Sequence, residues 1–379
     1  MRIALVHTLM GQLLGGGERL IEELGRKLEE MGHDVAYVTL NFNPHLLYTL
    51  TSLDRVFFIN FKLLKLGFLK AYLWNLLALL SSIRCLKHFN PHIFFLSTNH
   101  SIGWILKRFF GRKIVIYVHW PEFLHRRRRG ILRRIYFALI DLLESMSFKV
   151  ADAVLANSHY TARALKCAVG NIEVDVAYPG VDVEEFKPGA KEELILTVSR
   201  ITRAKNLEFV IRVASIVVKT HPSAKFIIAG FLHESDKSYF TRLLNLVREL
   251  ELDKNLSIIP NIPDDELKRL YGKASIVLYP RIGEHFGIAL IEGMSAGAVC
   301  IAADKGGPQE IIKNGVSGYR LTVTEDSWAK KIVELLRNPI KLKSMGERAR
   351  KIAVSNFSWN ALANKVHQKL IEILKLKNK

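Results

Sequence analysis

The sequence predicts an α/β protein built as two successive strand–helix halves, and three observations carry that prediction. Residues 2–40 run apolar strand, Gly-containing loop, amphipathic helix, apolar strand. The same alternation restarts at Leu194, behind a stretch dense in Pro and Gly. The 379 residues exceed a comfortable single core, and with 49% of them hydrophobic there is ample apolar surface to bury.

In order, Arg2 to His7 reads as a buried strand and Thr8 to Gly17 as a loop. Glu18 to Met31 is an amphipathic helix that Gly32 ends, and Val35 to Leu40 is the second strand. The opening has no small-residue cleavage site, so it reads as a first strand rather than a leader peptide. Gly15, Gly16 and Gly17 at the helix start let backbone approach a ligand closely, and a helix N-terminus favours phosphate. The loop is long and lacks G-x-G-x-x-G, so a flexible turn stays open beside a nucleotide site.

Next comes the most basic region. Lys62 to Arg134 holds fifteen Lys and Arg against one acid, Glu122, and Arg126, Arg127, Arg128 and Arg129 are consecutive within it. Phe61 to Arg84 is apolar with cations at its edges, and its longest uncharged run, Ala71 to Ile83, has thirteen residues. A spanning helix needs about 20 apolar residues, so this segment reads either as an interfacial helix or as a core helix with solvated lysines. Ile93 to Leu96 and Lys113 to Val118 are further strands. The second runs into Y-V-H-W-P-E, which puts His119 at a strand's carboxyl end, where open α/β sheets bind ligands, and a purely structural histidine stays open beside that reading. Asp152 to Ala156 is another strand, and Asn157 or Ser158 caps the helix behind it.

The stretch from Val174, V-D-V-A-Y-P-G-V-D-V-E-E-F-K-P-G, is the domain connection. Leu194 to Ser199 is then a strand, and S-R-I-T-R-A-K-N brings Arg200 and Lys205 out at its carboxyl end. Arg200 as a fork and Lys205 as a point charge suit a diphosphate. Strands follow at Lys225 to Ala229, Leu256 to Ile259 and Ser275 to Leu278.

After the last of these, Y-P-R-I-G-E-H-F-G-I-A-L-I-E puts Glu284 in a loop and Glu292 about two turns into a helix that starts at Phe286. The carboxylates would then be roughly 12 Å apart, beyond the roughly 5 to 9.5 Å of a glycosidase pair. Two solvated surface carboxylates are one reading. The other is a receptor for a long ligand, with hydroxyls at both ends and phosphate on the first helical N–H groups. Gly306, Gly307 and Pro308 turn the chain so that Glu310 nears another helix start, and the tail from Trp359 to Leu376 has helical apolar spacing. Two halves of this kind predict a ligand cleft between domains.

The formal charge of +19 implies an anionic partner, yet no zinc finger, RRM signature or basic heptad array appears, so nucleic acid is not expected. Cys85, Cys167 and Cys300 are scattered, which excludes a disulfide framework and a zinc site and suits a reducing compartment. The P-loop, H-E-x-x-H and G-x-S-x-G patterns are missing, as is D-x-D, so neither a metal nor a cofactor is expected and the cations must hold any diphosphate.

G-G-G-E-R-L, S-R-I-T-R-A-K-N, G-E-H-F-G-I-A-L-I-E and G-G-P-Q-E-I-I together resemble the family 4 retaining glycosyltransferases of GT-B type over nearly the full length. T-L-N-F-N-P-H, V-H-W-P-E-F-L and V-L-A-N-S-H-Y-T extend the similarity toward mannosyltransferases of lipid-linked oligosaccharide assembly. The resemblance implies two Rossmann-like domains facing across a cleft: residues 1–185 for acceptor and membrane, residues 186–355 for nucleotide sugar, and residues 356–379 as a helix returning to the first domain. It implies that Arg200 and Lys205 bind the donor diphosphate, Glu284 the transferred sugar and Glu292 the ribose. The backbone of Phe286, Gly287 and Ile288 would meet sugar and phosphate, Gly16 and Gly17 the diphosphate, and His119 the sugar near the reacting carbon.

The implied partners are a nucleotide-sugar donor, GDP-mannose, a polyprenyl or dolichyl diphosphate-linked glycan, and an anionic membrane surface met by Arg126 to Arg129. The implied place is the cytoplasm, at the membrane periphery. The alternatives are a UDP-sugar transferase of surface polysaccharide or glycolipid synthesis, and an inactive scaffold that binds nucleic acid or membrane.

Overall fold

The computed structural model describes residues 1–7, 9–10, 16–39, 41–42, 56–58, 83–98, 100–124 and 130–375. Two compact units divide the chain, Met1–Gly180 with Trp359–Lys379, and Val181–Ser358. The boundaries fall at Gly180 and Trp359, where the sequence reading put 185 and 356. The reason is local: Asp175–Val176 still pairs with the first unit's sheet, whereas Val181 bridges to Ser358.

The first unit's sheet comprises β1 (Arg2–Val6), β2 (Asp34–Thr39), β3 (Val56–Phe58), β4 (Ile93–Leu96), β5 (Lys113–Val118), β6 (Ala153–Ala156) and β7 (Asp175–Val176), all parallel. Their order is β3-β2-β1-β4-β5-β6-β7. Helices cover both faces, so β4 (I-F-F-L) is buried throughout and reads as a continuous apolar run. The helices include α1 (Gly16–Glu30), α2 (Gly103–Phe110), α3 (Ile131–Val150) and α4 (His159–Val169). Ser158 caps α4, its hydroxyl accepting from the Thr161 N–H at 3.1 Å.

The second unit repeats the pattern with β8 (Glu192–Val198), β9 (Lys225–Gly230), β10 (Leu256–Pro260), β11 (Ala274–Tyr279), β12 (Val299–Ala303) and β13 (Gly318–Leu321), in the order β10-β9-β8-β11-β12-β13. Its helices are α5 (Leu207–Thr220), α6 (Lys237–Glu249), α7 (Asp264–Lys273), α8 (Ile288–Ser295), α9 (Pro308–Ile311), α10 (Glu325–Leu336) and α11 (Pro339–Asn356). The chain then returns to the first unit as α12 (Trp359–Lys375), whose Leu362, Val366 and Leu370 join Leu20, Leu24 and Leu28 of α1 in one core.

In both sheets the strand order reverses beside the unit's first strand, between β1 and β4 and between β8 and β11. Strand order of this kind opens a crevice at the carboxyl ends of those two strands, and ligands of doubly wound sheets bind there.

One expected element is corrected. The helix behind Glu284 starts at Ile288, not Phe286, because Gly287 takes a left-handed φ of 117° that no helix accommodates. Glu292 therefore lies little more than one turn into α8 rather than two.

Candidate active site

The second unit's switch point is ionic. β11 ends in buried Tyr279, and Glu284 follows in a loop that is itself almost fully covered. Two glycines make that loop possible. The Gly307 N–H donates to the Glu284 carbonyl at 2.7 Å, and a Cβ on Gly306 or Gly307 would fall 2.4 Å from Glu284 O or Phe286 Cα. Glycine here is thus a packing requirement, which the turn reading of G-G-P missed.

The Glu284 carboxylate accepts from Lys205 Nζ at 2.6 Å and from the Tyr279 hydroxyl at 2.6 Å, with Arg281 Nε at 3.6 Å. Lys205 comes from the turn Arg203–Lys205 that follows β8, and also donates to the Tyr279 hydroxyl at 3.1 Å. Burial alone would raise the Glu284 carboxyl. The Lys205 charge and hydrogen bond, the Tyr279 hydroxyl and the Arg281 charge together outweigh it and hold the group down at about 2. Burial pulls the Lys205 ammonium down, against the opposing pull of Glu284. Arg200, just past β8, is exposed and acts on Lys205 as a second cation.

Glu292 sits on α8 and accepts from the fully buried Tyr271 hydroxyl at 2.7 Å. Both glutamates of the motif are therefore oriented by a buried tyrosine, which disposes of the solvated-surface reading. Phe286 buries its ring edge-on against Phe357, at 6.0 Å between centroids, so only its backbone is available to a ligand. Gly287 is buried and Ile288 is half-buried.

The first unit's switch point is neutral. His7 follows β1, Ser97 follows β4 and His119 follows β5. The Ser97 hydroxyl lies 3.2 Å from His7 Nδ1 and 2.9 Å from His119 Nε2, linking the two rings. Burial first, then the His119 charge, pushes His7 down to about 3; burial first, then His100, pushes His119 down to about 4. Both imidazoles are uncharged at neutral pH. Gly16 and Gly17 open α1, and a Cβ at Gly17 would stand 3.5 Å from His7 Cε1 and 3.6 Å from His119 Nε2. A side chain at Gly17 would thus stand in van der Waals contact with the imidazole pair.

His7, Ser97, Arg281, Tyr271 and Tyr279 were not among the sequence candidates. His7 carries the signal that found His119, a histidine at a strand's carboxyl end, and Arg281 is a cation three residues before Glu284. Tyr271 carries none. Arg126 to Arg129 and residues 61–82 lie outside the described residues. Among the described residues no group of three or more His, Cys, Asp or Glu could hold a metal, and no helix is long and apolar enough to cross a membrane.

Comparison with known proteins bears on both halves. Residues 14–185 match the model "Glycosyltransferase Family 4", and residues 182–352 match "Glycosyl transferases group 1". The chain belongs to the family 4 glycosyltransferases. Among its relatives in this family, the alpha-1,3/1,6-mannosyltransferase ALG2 of Rhizomucor pusillus is 24% identical, over 98% of this chain and 92% of that protein. A GDP-Man:Man(3)GlcNAc(2)-PP-Dol alpha-1,2-mannosyltransferase of Dictyostelium discoideum is 24% identical over 72% of this chain and 63% of its own length. Of solved structures, sucrose-phosphate synthase from Thermosynechococcus elongatus superposes with a TM-score of 0.81 at 19% identity, covering 99% of both chains. That likeness bears out the predicted GT-B fold of two Rossmann-like halves.

Proposed function

We propose that this family 4 glycosyltransferase is a retaining, metal-independent mannosyltransferase that moves mannose from GDP-mannose to a polyprenyl or dolichyl diphosphate-linked glycan at the cytoplasmic membrane face, without a cofactor. The observation that carries the reading is the buried Lys205–Glu284 pair, with Arg281 and Arg200 beside it, at the second unit's switch point. Similarity to mannosyltransferases over nearly the whole chain supports the sugar, and the GDP-Man donor in the name of the Dictyostelium relative supports the base.

The chemistry follows from the charges. A donor diphosphate arriving between Arg200 and Lys205 competes with Glu284 for the ammonium. The carboxylate, ionised at any physiological pH, is then free to accept from sugar hydroxyls. As the bond from the anomeric carbon to the diphosphate oxygen breaks, negative charge grows on the leaving group, where two preorganised cations are worth most. The acceptor hydroxyl attacks from the same face, its proton passes to the departing phosphate oxygen, and configuration is retained. Neutral His119 serves as a hydrogen-bonding contact to the sugar rather than as a phosphate counterion. Glu292, held by Tyr271, accepts from the ribose hydroxyls. Gly16 and Gly17 meet the diphosphate, as do the backbone groups of Phe286 to Ile288.

Thermal-shift titration with GDP, UDP, ADP and their sugar conjugates, without divalent metal, tests this reading. A ligand at 100 times its dissociation constant stabilises by about 2.7 kcal/mol. Stabilisation selective for GDP and GDP-mannose is expected. A response to UDP compounds alone would remove the mannose donor, and a response to none would remove the enzyme reading.

A further inference from the structure

Helix α3 is turned inside out. Ile131, Leu132, Ile135, Leu139 and Leu142 are 75%, 79%, 64%, 55% and 57% exposed, whereas Glu144 and Ser147 of the same helix are buried. Ile131, Ile135, Leu139 and Leu142 recur at intervals of four, four and three, so they form one continuous stripe along the solvent side. The opposite side buries Ile140, Glu144, Ser147 and Phe148. Single exposed apolar residues are ordinary, but a contiguous stripe of leucines and isoleucines marks a surface built to be covered.

What covers it follows from the charge around it. Arg133 and Arg134, in the helix's first turn, are exposed. Four further arginines, Arg126 to Arg129, immediately precede the helix in sequence, and exposed Leu124 precedes them. The helix's own acids lie off the stripe, Glu144 buried and Asp141 half-buried. A nucleic acid would answer the arginines but leave the apolar stripe in water. A neutral apolar partner would do the reverse. An apolar face with arginines at its end matches a surface that is both oily and anionic.

We infer that the Ile131–Leu142 stripe of α3 is embedded in an anionic lipid bilayer surface, with the helix lying in the plane of the membrane and its arginines among the headgroups. The inference deepens the lipid-linked-acceptor reading above and rests on it for its purpose. α3 is the next α-helix after β5 and His119 in the chain, so docking through it ties the segment that leaves the carboxyl end of β5 to the bilayer.

Flotation of the full chain with phosphatidylglycerol/phosphatidylcholine vesicles, with no donor or acceptor added, tests it. Ile135→Asp/Leu139→Asp should lower the bound fraction on the order of tenfold or more, since each lost side chain removes several buried methylenes. Melting temperature and donor hydrolysis to GDP should stay unchanged. Equal flotation of variant and wild type would overturn the inference, as would a wild type that floats on no vesicle. Light scattering that finds a dimer dissociated by the double variant, with vesicle binding intact, would assign the stripe to a second copy instead. Should the aspartates prevent folding, Leu142→Trp keeps the face apolar: its emission should shift to the blue on adding anionic vesicles, and an unshifted emission would count against the inference. Vesicle binding without any nucleotide response would sink the enzyme reading and leave the docking surface standing. The converse result would do the opposite.

Discussion

In the first unit the carboxyl ends of the two strands at the switch point present His7 and Ser97; in the second they present Arg200 and Lys205 and, through the following loop, Glu284. The topology is alike, but the protonation states differ. Titratable groups buried without counterions lose their charge, and the histidines do so. A carboxylate buried with a cation at 2.6 Å and a donating tyrosine keeps it. The fold supplies the crevice in both units, and the supply of partners decides whether that crevice is neutral or ionic.

The largest effect should come from breaking the ionic half. Glu284→Gln is expected to cut turnover on the order of 10²- to 10³-fold. It should also destabilise by about 3–5 kcal/mol, because Lys205 and Arg281 are left without their carboxylate. Chemical denaturation of the double variant Lys205→Met/Glu284→Gln separates the two roles. Stability should largely return in the double variant, and turnover should not. Near-normal turnover in Glu284→Gln would remove the site.

Close packing is the next point of contrast. Gly307→Ala puts a methyl 2.4 Å from the Phe286 Cα, so the Glu284 loop must move and both melting temperature and donor binding should fall. Gly17→Ala meets only ordinary contacts at 3.5 and 3.6 Å and lies in a helix. Its stability should be unchanged or up to about 1 kcal/mol higher. Donor affinity should still drop, because the methyl stands over the imidazoles. Isothermal titration with GDP-mannose against both variants checks the pair.

Acid separates the units by pH window. His7 takes up no proton in the folded state until about pH 3, whereas unfolded histidine protonates below 6.5. Its stabilising contribution is complete above 6.5 and declines as pH falls toward 3, by at most about 1.4 kcal/mol per pH unit. Glu284 contributes fully above its ordinary value of 4.5 and loses that contribution as pH falls toward about 2. In melts between pH 7 and 5, His7→Gln should flatten the dependence, and Glu284→Gln should not.

The smallest effect on turnover is expected from Tyr271→Phe, which leaves Glu292 without its 2.7 Å donor. A loss of about 1 to 3 kcal/mol in stability is expected, with weaker nucleotide binding and little change in the rate at saturating donor. An unchanged GDP affinity would remove Glu292 from the ribose.

Most strands were legible in the chain because a sheet covered on both faces needs uninterrupted apolar runs, and I-F-F-L or A-S-I-V-L-Y has no other use. The same locality exposed Arg200, Lys205 and His119, each just past such a run. β3, β7, β12 and β13 have no counterpart among the strands that the sequence predicts. Periodicity showed which residues of a helix share a side but not which side meets solvent, so the outward stripe of α3 could not be read from it.

Local physics thus settled the alternation of elements, the cations and acids that follow them, and the basic stretch, since each depends on neighbours a few residues away. Strand order settled the rest. His7 and Ser97 are ninety residues apart and meet because β1 lies beside β4. Lys205 and Glu284 are separated by seventy-nine and meet because β8 lies beside β11. Whether a histidine is neutral, a glutamate ionised or a glycine irreplaceable depends on which distant groups the sheet brings within a few ångströms, and no spacing along the chain carries that information.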